Sequence, residues 1–442
     1  MKPAALQKLL DGALGYYWLW GSERPNFTTQ EPRAGYLEQT DGGITVRLLV
    51  DDVAEAFTGA FGEGLPPHGL VGAADGVGVV VLDVIGSPGG SLHFGGSRAS
   101  TEIYRAQTVI ATNGALDLER PLIEEAAIHL HGTRLFDWAG TSAYRSDVRT
   151  NPSTRLVESA TLELQPGEKD TAAVRGIGEL WVTTDWRLGT RTERGIDVDL
   201  ALEIGLRRRT PGRSRDVLQQ LGHLQVLLSA LFDGFVRAGA GWAKLPGVDG
   251  RGRLWNSVLM RDPSNLQIKS IKRSAMPIAD LPTLGGAQAL GRWLRLSHQH
   301  PRMLAPIINR WRRGLGPAEA QLVENTVALE YWVAAHRRVS QWARQYKLIP
   351  LAAARNIGED FDTFVGGAER WADRLWKTYN DLKHDPNATF DAEEVYLLAR
   401  SSYLLLLALS LNRIAGSKAP SRGIFRGPQF DQLGQEVRRL LT

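Results

Sequence analysis

The segment YNDLKHDP, residues 379–386, carries side chains whose types and spacing could do chemistry. If the chain is helical here, residues three, four and seven apart share a face, so Lys377, either Asn380 or Asp381, and His384 line up. An imidazole changes charge near neutral pH and can exchange a proton with a hydroxyl group. Asn380 and Lys383 place an amide and a cationic donor beside that imidazole.

His384 is expected at the end of this predicted helix. Pro386 disfavours helical backbone at Asp385, so the last helical turn contains His384. The negative end of the helix macrodipole favours the protonated form of an imidazole at that position. The sequence therefore predicts a titrating group at a helix terminus.

Such a cluster could cleave RNA without a metal ion. A base removes the proton of a ribose 2'-hydroxyl, the oxygen attacks the neighbouring phosphorus, and positive donors stabilise the charge of the phosphorane. The products are a cyclic phosphate and a free 5'-hydroxyl. The reaction also needs an acid for the leaving oxygen, which a second copy of the cluster in a dimer could supply.

Helical periodicity surrounds the cluster from about residue 286 onward. Helices are predicted at 286–299, 302–313, 317–345, 350–356, 360–383 and 391–415. The most apolar run, residues 395–411, is interrupted by Arg400, so it is interpreted as a buried core helix and not as a membrane span. The C-terminal part is therefore predicted to be an all-α bundle, with the polar turn held at its edge.

Short strands with alternating apolar residues fill the chain from about residue 15 to 206. Strands are predicted at 43–50, 77–86, 160–165, 178–186 and 195–204. Clusters of Gly, Pro, Asn and Asp separate them, which is typical of an antiparallel sandwich or a barrel-like domain. The predicted fold class is α+β, with several domains.

Three regions follow from this change of period. Residues 1–208 are predicted to form a β-rich N-terminal domain, 209–280 a connecting helix with short strands, and 281–442 the helical bundle. The stretch RRRTPGRSR, residues 207–215, contains five arginines. It is typical of a solvated linker or of a phosphate-binding loop, and the linker is the favoured interpretation. Ser214 is the expected N-cap of the connecting helix.

Composition excludes several kinds of site. The chain has 52 Lys plus Arg against 48 Asp plus Glu, so its net charge of +4 indicates no particular partner. It has no cysteine, which excludes disulfides, cysteine-bound zinc and thiol nucleophiles and fits a reducing cytoplasmic interior. The sequence has no P-loop, no G-x-S-x-G elbow and no H-E-x-x-H motif, and we expect no cofactor.

Two other groups of residues have more ordinary interpretations. His129 and His131 lie on one face of a predicted strand, a spacing that some metal sites use, but no third ligand is evident and hydrogen-bonded strand histidines are favoured. Trp138, Trp181 and Trp186 could belong to a carbohydrate or small-ligand module. Core packing is the favoured interpretation, because large aromatic side chains usually fill interiors.

Taken together, these features resemble the ApeA-like family of bacterial anti-phage proteins, whose C-terminal part is a HEPN domain. The similar stretches are GYLEQTDGGITVRLLVDD, LPPHGLVGAADGVGVVVLDV and AAIHLHGTRLFDW in the N-terminal half, with NTVALEYW and WKTYNDLKHDP in the bundle. The resemblance covers most of the chain. It implies a homodimer that cuts RNA at a joint cleft, with tRNA as one candidate substrate, and so arrests the infected cell by abortive infection. The β-rich N-terminal domain would then be the sensor of a phage-derived trigger.

The HEPN ribonuclease pattern is an Arg, four to six intervening residues and a His, often with Asn directly after the Arg. Counting back from His384, the slots for that Arg hold Tyr379, Thr378 and Lys377, whereas Asn380 and His384 match the pattern. Lys377 could replace the arginine as a cation, although lysine lacks the bidentate fork that suits phosphate.

The resemblance therefore implies one set of site residues. The catalytic candidates are His384, Asn380, Lys377, Lys383 and Tyr379, and the RNA-binding candidates are Arg374 and Arg400. Arg374 and Arg400 are also the alternative replacements for the missing arginine. No metal is expected at this site.

Two further pairs satisfy the same spacing. They are Arg292 with His298 and Arg295 with His300. Both precede the long central helix of the bundle, whereas the family motif stands before the last core helix, so the order favours His384. A second hypothesis stays open: a degenerate HEPN bundle that binds RNA or a protein partner without cleaving it.

Overall fold

The computed structural model describes most of the chain. The described residues are 3–20, 32–40, 43–50, 69–91, 100–113, 122–140, 144–165, 167–192, 195–266, 268–272, 275–336, 348–385, 387 and 389–442.

Strands dominate the N-terminal part, as predicted. They are β1 Asp11–Trp20, β2 Arg33–Thr40, β3 Gly43–Val50, β4 Gly69–Ala74, β5 Val77–Ser91, β6 Ser100–Asn113, β7 Leu122–His131, β8 Tyr144–Thr150, β9 Val157–Leu164, β10 Asp170–Val174, β11 Gly178–Thr192, β12 Gly195–Arg213, β13 Ala238–Lys244 and β14 Gly252–Asn256. The alternation that predicted them is visible in β12, where Leu202, Ile204 and Leu206 are fully buried.

Six of these strands close into a barrel. Their order is β6-β3-β2-β1-β4-β5, and β5 pairs back with β6 to complete the ring. All of the pairings are antiparallel. Alternate side chains fill the interior, among them Tyr17, Leu37, Val46, Val81 and Val109. The barrel-like alternative of the predicted N-terminal fold is therefore confirmed.

The barrel continues into an open sheet because β6 changes its partner along one edge. Its first half pairs with β3 and its second half with β14, while its other edge pairs with β5. The order then runs β14-β13-β7-β12-β11-β10. The strands β13 and β14 of the connecting segment thus lie inside the N-terminal sheet, and the predicted boundary at residue 208 falls within β12.

Helices make up the C-terminal part. The α-helices are α1 Pro3–Leu10, α2 Thr133–Trp138, α3 Ser214–Leu231, α4 Leu281–Leu284, α5 Ala287–Gln299, α6 Pro301–Arg313, α7 Ala318–His336, α8 Ile349–Ile357, α9 Glu359–Val365, α10 Ala368–His384, α11 Ala392–Ala415, α12 Ala419–Arg426 and α13 Asp431–Leu440. One buried cluster joins the sheet to these helices, and it contains Ile204 and Leu206 of β12 together with Leu221 of α3.

Several predicted boundaries differ from the structure. The prediction of one helix over 360–383 is wrong, because Gly366 and Gly367 take φ values of 75° and 126° and separate α9 from α10. The N-cap of α3 is Arg213 and not Ser214. Of the helix predicted at 317–345, residues 337–345 lie outside the described residues.

Helix α11 is the centre of the bundle. Its residues from Leu404 to Leu409 are all buried, and 83% of its most apolar window lies inside the protein. It has the length and composition of a membrane span, but the burial identifies it as a core helix. This agrees with the interpretation of residues 395–411 from the sequence.

Helix α10 is fixed against α11 by buried contacts on one side. The indole Nε1 of Trp371 donates a hydrogen bond to Ser401 Oγ at 2.9 Å, and the ring of Phe361 meets that indole edge-on at 4.8 Å. Leu375 is also fully buried. The buried side of α10 therefore determines which of its residues face solvent.

Candidate functional site

The exposed face of α10 carries the predicted cluster. Lys377 and His384 are exposed and Asn380 is half-buried, whereas Thr378 and Tyr379 are buried. Of the three slots for the family's arginine, only the slot at Lys377 therefore faces solvent. Lys377 and His384 lie two helical turns apart on the same side of α10.

His384 is the last residue of α10. Asp385 is extended at φ −113° and ψ 100°, and its backbone N–H donates to the Asp381 carbonyl at 2.9 Å. Pro386, which was expected to end the helix, lies outside the described residues. The His384 ring has no hydrogen bond or ion pair with any residue that the structure describes, so its nitrogens are accessible to a ligand.

Lys383 lies further round the helix, beside Tyr379. Its ammonium stands 5.5 Å from the centre of the Tyr379 ring and 3.4 Å from the Tyr379 hydroxyl. Burial raises the pKa of Glu330 on α7, and the positive charge of Lys383 opposes that rise. Lys383 therefore flanks the exposed face of α10, and its ammonium packs against the buried Tyr379 side chain.

Arg374 is held by a carboxylate of α11. Its Nε and Nη2 donate to the two oxygens of Glu394 at 2.6 and 2.5 Å, and Thr378 Oγ1 donates to the same carboxylate at 3.1 Å. The hydrogen bonds from Arg374 lower the pKa of Glu394. This bidentate pair aligns the start of α11 with the site and neutralises the charge of Arg374.

The structure does not place Arg400 near His384. It lies beside the Ser401–Trp371 contact, and Trp371 is separated from His384 by roughly 20 Å along α10. Its side chain is only 12% exposed and donates to Asp233 at 2.6 Å. Arg310 faces the same carboxylate at 3.9 Å. The predicted RNA-binding role of Arg400 therefore has no geometric support at this site.

The two discounted pairs have different environments. Arg292 donates to the backbone carbonyls of Ile414 and Leu284, which makes it a structural residue. Arg295 and His298 are exposed and line an open groove beside α3. Sequence spacing alone did not predict this groove, although its Arg208 belongs to the arginine-rich stretch.

The strand histidines are hydrogen-bonded, as favoured from the sequence. His129 Nε2 lies 2.8 Å from Glu203, and His131 Nδ1 lies 2.8 Å from Asp199. Burial raises the pKa of Glu203, but hydrogen bonds from His129, Trp242 and Trp181 outweigh it and lower that pKa to about 2. Within the described ranges, no three His, Asp or Glu side chains are grouped as a metal site would require.

The tryptophans of the proposed small-ligand module are mostly buried. Trp138 and Trp181 are buried, and the indole of Trp138 donates to the Ala279 carbonyl at 2.9 Å. Trp186 is half-buried. Packing therefore accounts for Trp138 and Trp181.

Comparison of the chain with protein-family models, curated proteins and solved structures returned no match.

Proposed function

We propose that the chain is an ApeA-like anti-phage protein that acts by abortive infection, and that its helical part is a HEPN-type endoribonuclease. The proposal rests on one observation: Lys377, Asn380 and His384 lie on one accessible face at the C-terminal end of α10. The resemblance of the WKTYNDLKHDP stretch to the HEPN pattern supports the same assignment. The proposed setting is the cytoplasm, with a phage-derived trigger sensed by the β-rich part.

The proposed reaction needs no metal ion. His384 of one copy takes the 2'-hydroxyl proton, the 2'-oxygen bonds to phosphorus, and the bond from phosphorus to the 5'-oxygen breaks. A second copy of His384 across a homodimer cleft donates a proton to the leaving oxygen. Lys377 offsets the developing negative charge, and Asn380 donates a hydrogen bond to the phosphate. Lys383 flanks this face and attracts the RNA backbone.

Incubation of the purified protein with total RNA or tRNA in EDTA tests this proposal. We expect cleavage that yields 2',3'-cyclic phosphate and 5'-hydroxyl ends and that His384→Ala abolishes. The matched control is His131→Ala, which removes an exposed histidine from β7. Cleavage that persists in His384→Ala, or that requires a divalent metal, contradicts the proposal.

A second candidate function is RNA binding without cleavage by a degenerate HEPN bundle. The observation that favours it is that Thr378 and Tyr379 are buried. Of the three positions at which the family pattern could place its arginine, only Lys377 is therefore accessible. In this case wild-type protein retains RNA without cutting it. Lys377→Ala should then lower the affinity and the salt dependence of binding, since each phosphate contact contributes to the salt slope.

A further inference from the structure

A large groove lies where the N-terminal sheet meets the helices. It has a volume of about 860 Å³. Its walls are the β10–β11 turn, the end of β12, the first half of α3 and the last turns of α5. Binding sites for small organic ligands usually measure about 300–1,000 Å³, so this groove can hold a ligand of nucleotide size.

The charge of the groove is predominantly positive. Arg175 comes from the β10–β11 turn, Arg208 from β12 and Arg295 from α5. Asp216 is the one carboxylate among the residues that line it. Three guanidinium groups on separate elements are suited to the oxygens of a phosphate chain, because each can donate two parallel hydrogen bonds.

Two polar atoms in this groove are buried and lack hydrogen-bond partners among the described residues. They are Arg208 Nε and Gln220 Oε1. Buried donors and acceptors are nearly always paired in folded proteins, because an unpaired one loses its hydration without compensation. An unpaired donor and an unpaired acceptor therefore lie beside the same groove, where a polar ligand could pair with them once their side chains turn towards it.

Hydrogen bonds join α3 to α5 at the floor of the groove. His223 Nδ1 lies 3.0 Å from Ser297 Oγ, and the Trp293 indole donates to the His223 carbonyl at 2.8 Å. Burial, together with the charge of Arg312, lowers the pKa of His223 to about 4. His223 is therefore neutral near pH 7, and its contacts join α3 to α5, the helix that carries Arg295.

We propose that this groove binds a small ligand that carries a chain of phosphates, of the nucleoside triphosphate class. Arg175, Arg208 and Arg295 hold the phosphate oxygens. Ile177 and Pro301 provide apolar surface for the remainder of the ligand. Because its walls come from both the sheet and the helices, the bound ligand contacts both parts of the protein.

Calorimetric titration with inorganic triphosphate, ATP and GTP tests this inference. We expect wild-type protein to bind at least one of these, and Arg208→Gln and Arg295→Gln each to raise its Kd about tenfold or more, the loss of one charge-assisted contact. Arg175→Gln should raise the Kd in the same way, and because Arg175 lies in an exposed turn, this variant should still fold. Arg209→Gln is the matched control, since Arg209 is an exposed neighbour of Arg208 in β12 that does not line the groove.

The three probes separate the possible sources of the phosphate chain. Binding of ATP or GTP well above inorganic triphosphate assigns a nucleotide, and equal binding assigns the phosphate chain alone. If no probe binds, or if Arg208→Gln and Arg295→Gln bind as wild type does, the inference is wrong. A single-stranded RNA that binds through Arg208 while the small phosphates do not would also overturn it. RNA cleavage is not measured here, so this outcome is independent of the role of His384.

Discussion

Two groups of charged residues, one on α10 and one on α11, differ in their environment. At the end of α10, Lys377 and His384 are exposed and open to a ligand. In α11, the Arg400 side chain is only 12% exposed and donates a hydrogen bond to Asp233. Both groups contain cations, but the first faces solvent, whereas the second faces the carboxylate of Asp233 inside the protein. Burial, and not residue type, distinguishes the accessible cluster on α10 from the ion pair of Arg400 with Asp233.

The two groups should also respond differently to mutation. Loss of one member of a mostly buried ion pair removes a charge-assisted hydrogen bond, whereas loss of an exposed lysine side chain changes only solvated surface. Stability should therefore depend on the Arg400 group and activity on the Lys377 group.

The largest expected effect on stability is that of Arg400→Ala. It leaves Asp233 with Arg310 alone, at 3.9 Å, and should lower the free energy of unfolding by about 3 kcal/mol. Urea denaturation measures this change. Lys377→Ala is the control and should stay within about 0.5 kcal/mol of wild type. A loss below about 1 kcal/mol for Arg400→Ala would remove the distinction drawn between the two groups.

The next effect concerns activity at the end of α10. Lys377→Ala and Asn380→Ala should each lower RNA cleavage by about 10–100-fold, because in the proposed mechanism each supplies a donor to the phosphorane. Initial rates on a labelled RNA at fixed salt measure this. Arg422→Ala removes an exposed arginine from α12 and should leave the rate unchanged. Wild-type rates in both α10 variants would show that the cluster does not act as a unit.

A smaller effect is expected at the junction that holds α10 in place. Gly367 has φ 126°, which an L-residue adopts only with strain, so Gly367→Ala should lower the free energy of unfolding by about 1–3 kcal/mol. Gly316→Ala is the matched control, because nothing lies within 4 Å of the added methyl group. Equal stabilities of the two variants would show that the break between α9 and α10 does not depend on this glycine.

The smallest effect belongs to the pair that links α10 to α11, Arg374 with Glu394. The pKa of Glu394 is lowered in the folded protein, so its contribution is present above pH 4.5 and is lost as the pH falls through the folded value. Glu394→Gln should therefore lower stability by less than about 1 kcal/mol at pH 7 and by less still at pH 3. Urea denaturation at both pH values measures the difference, and a larger loss at pH 3 than at pH 7 would contradict it.

Local patterns predicted many elements. Alternating apolar residues located β3 at its observed bounds, and helical spacing located α5 and α11 within one residue of theirs. The break at Gly366 and Gly367 was missed, since a helical face continues on both sides of it. The insertion of β13 and β14 between β7 and β6 was also missed, because strand order depends on partners that are remote in the sequence.

The sequence by itself determined which segments become strands and helices and that His384 stands at the end of one of them, because periodicity and helix-breaking residues act over a few positions. Tertiary structure alone decided that Tyr379 is buried while Lys377 is exposed, and that Arg400 pairs with a residue 167 positions away. It also placed Arg175, Arg208 and Arg295 around one groove. The physical reason is that burial and charge pairing depend on which elements pack together, and this is a property of the whole fold.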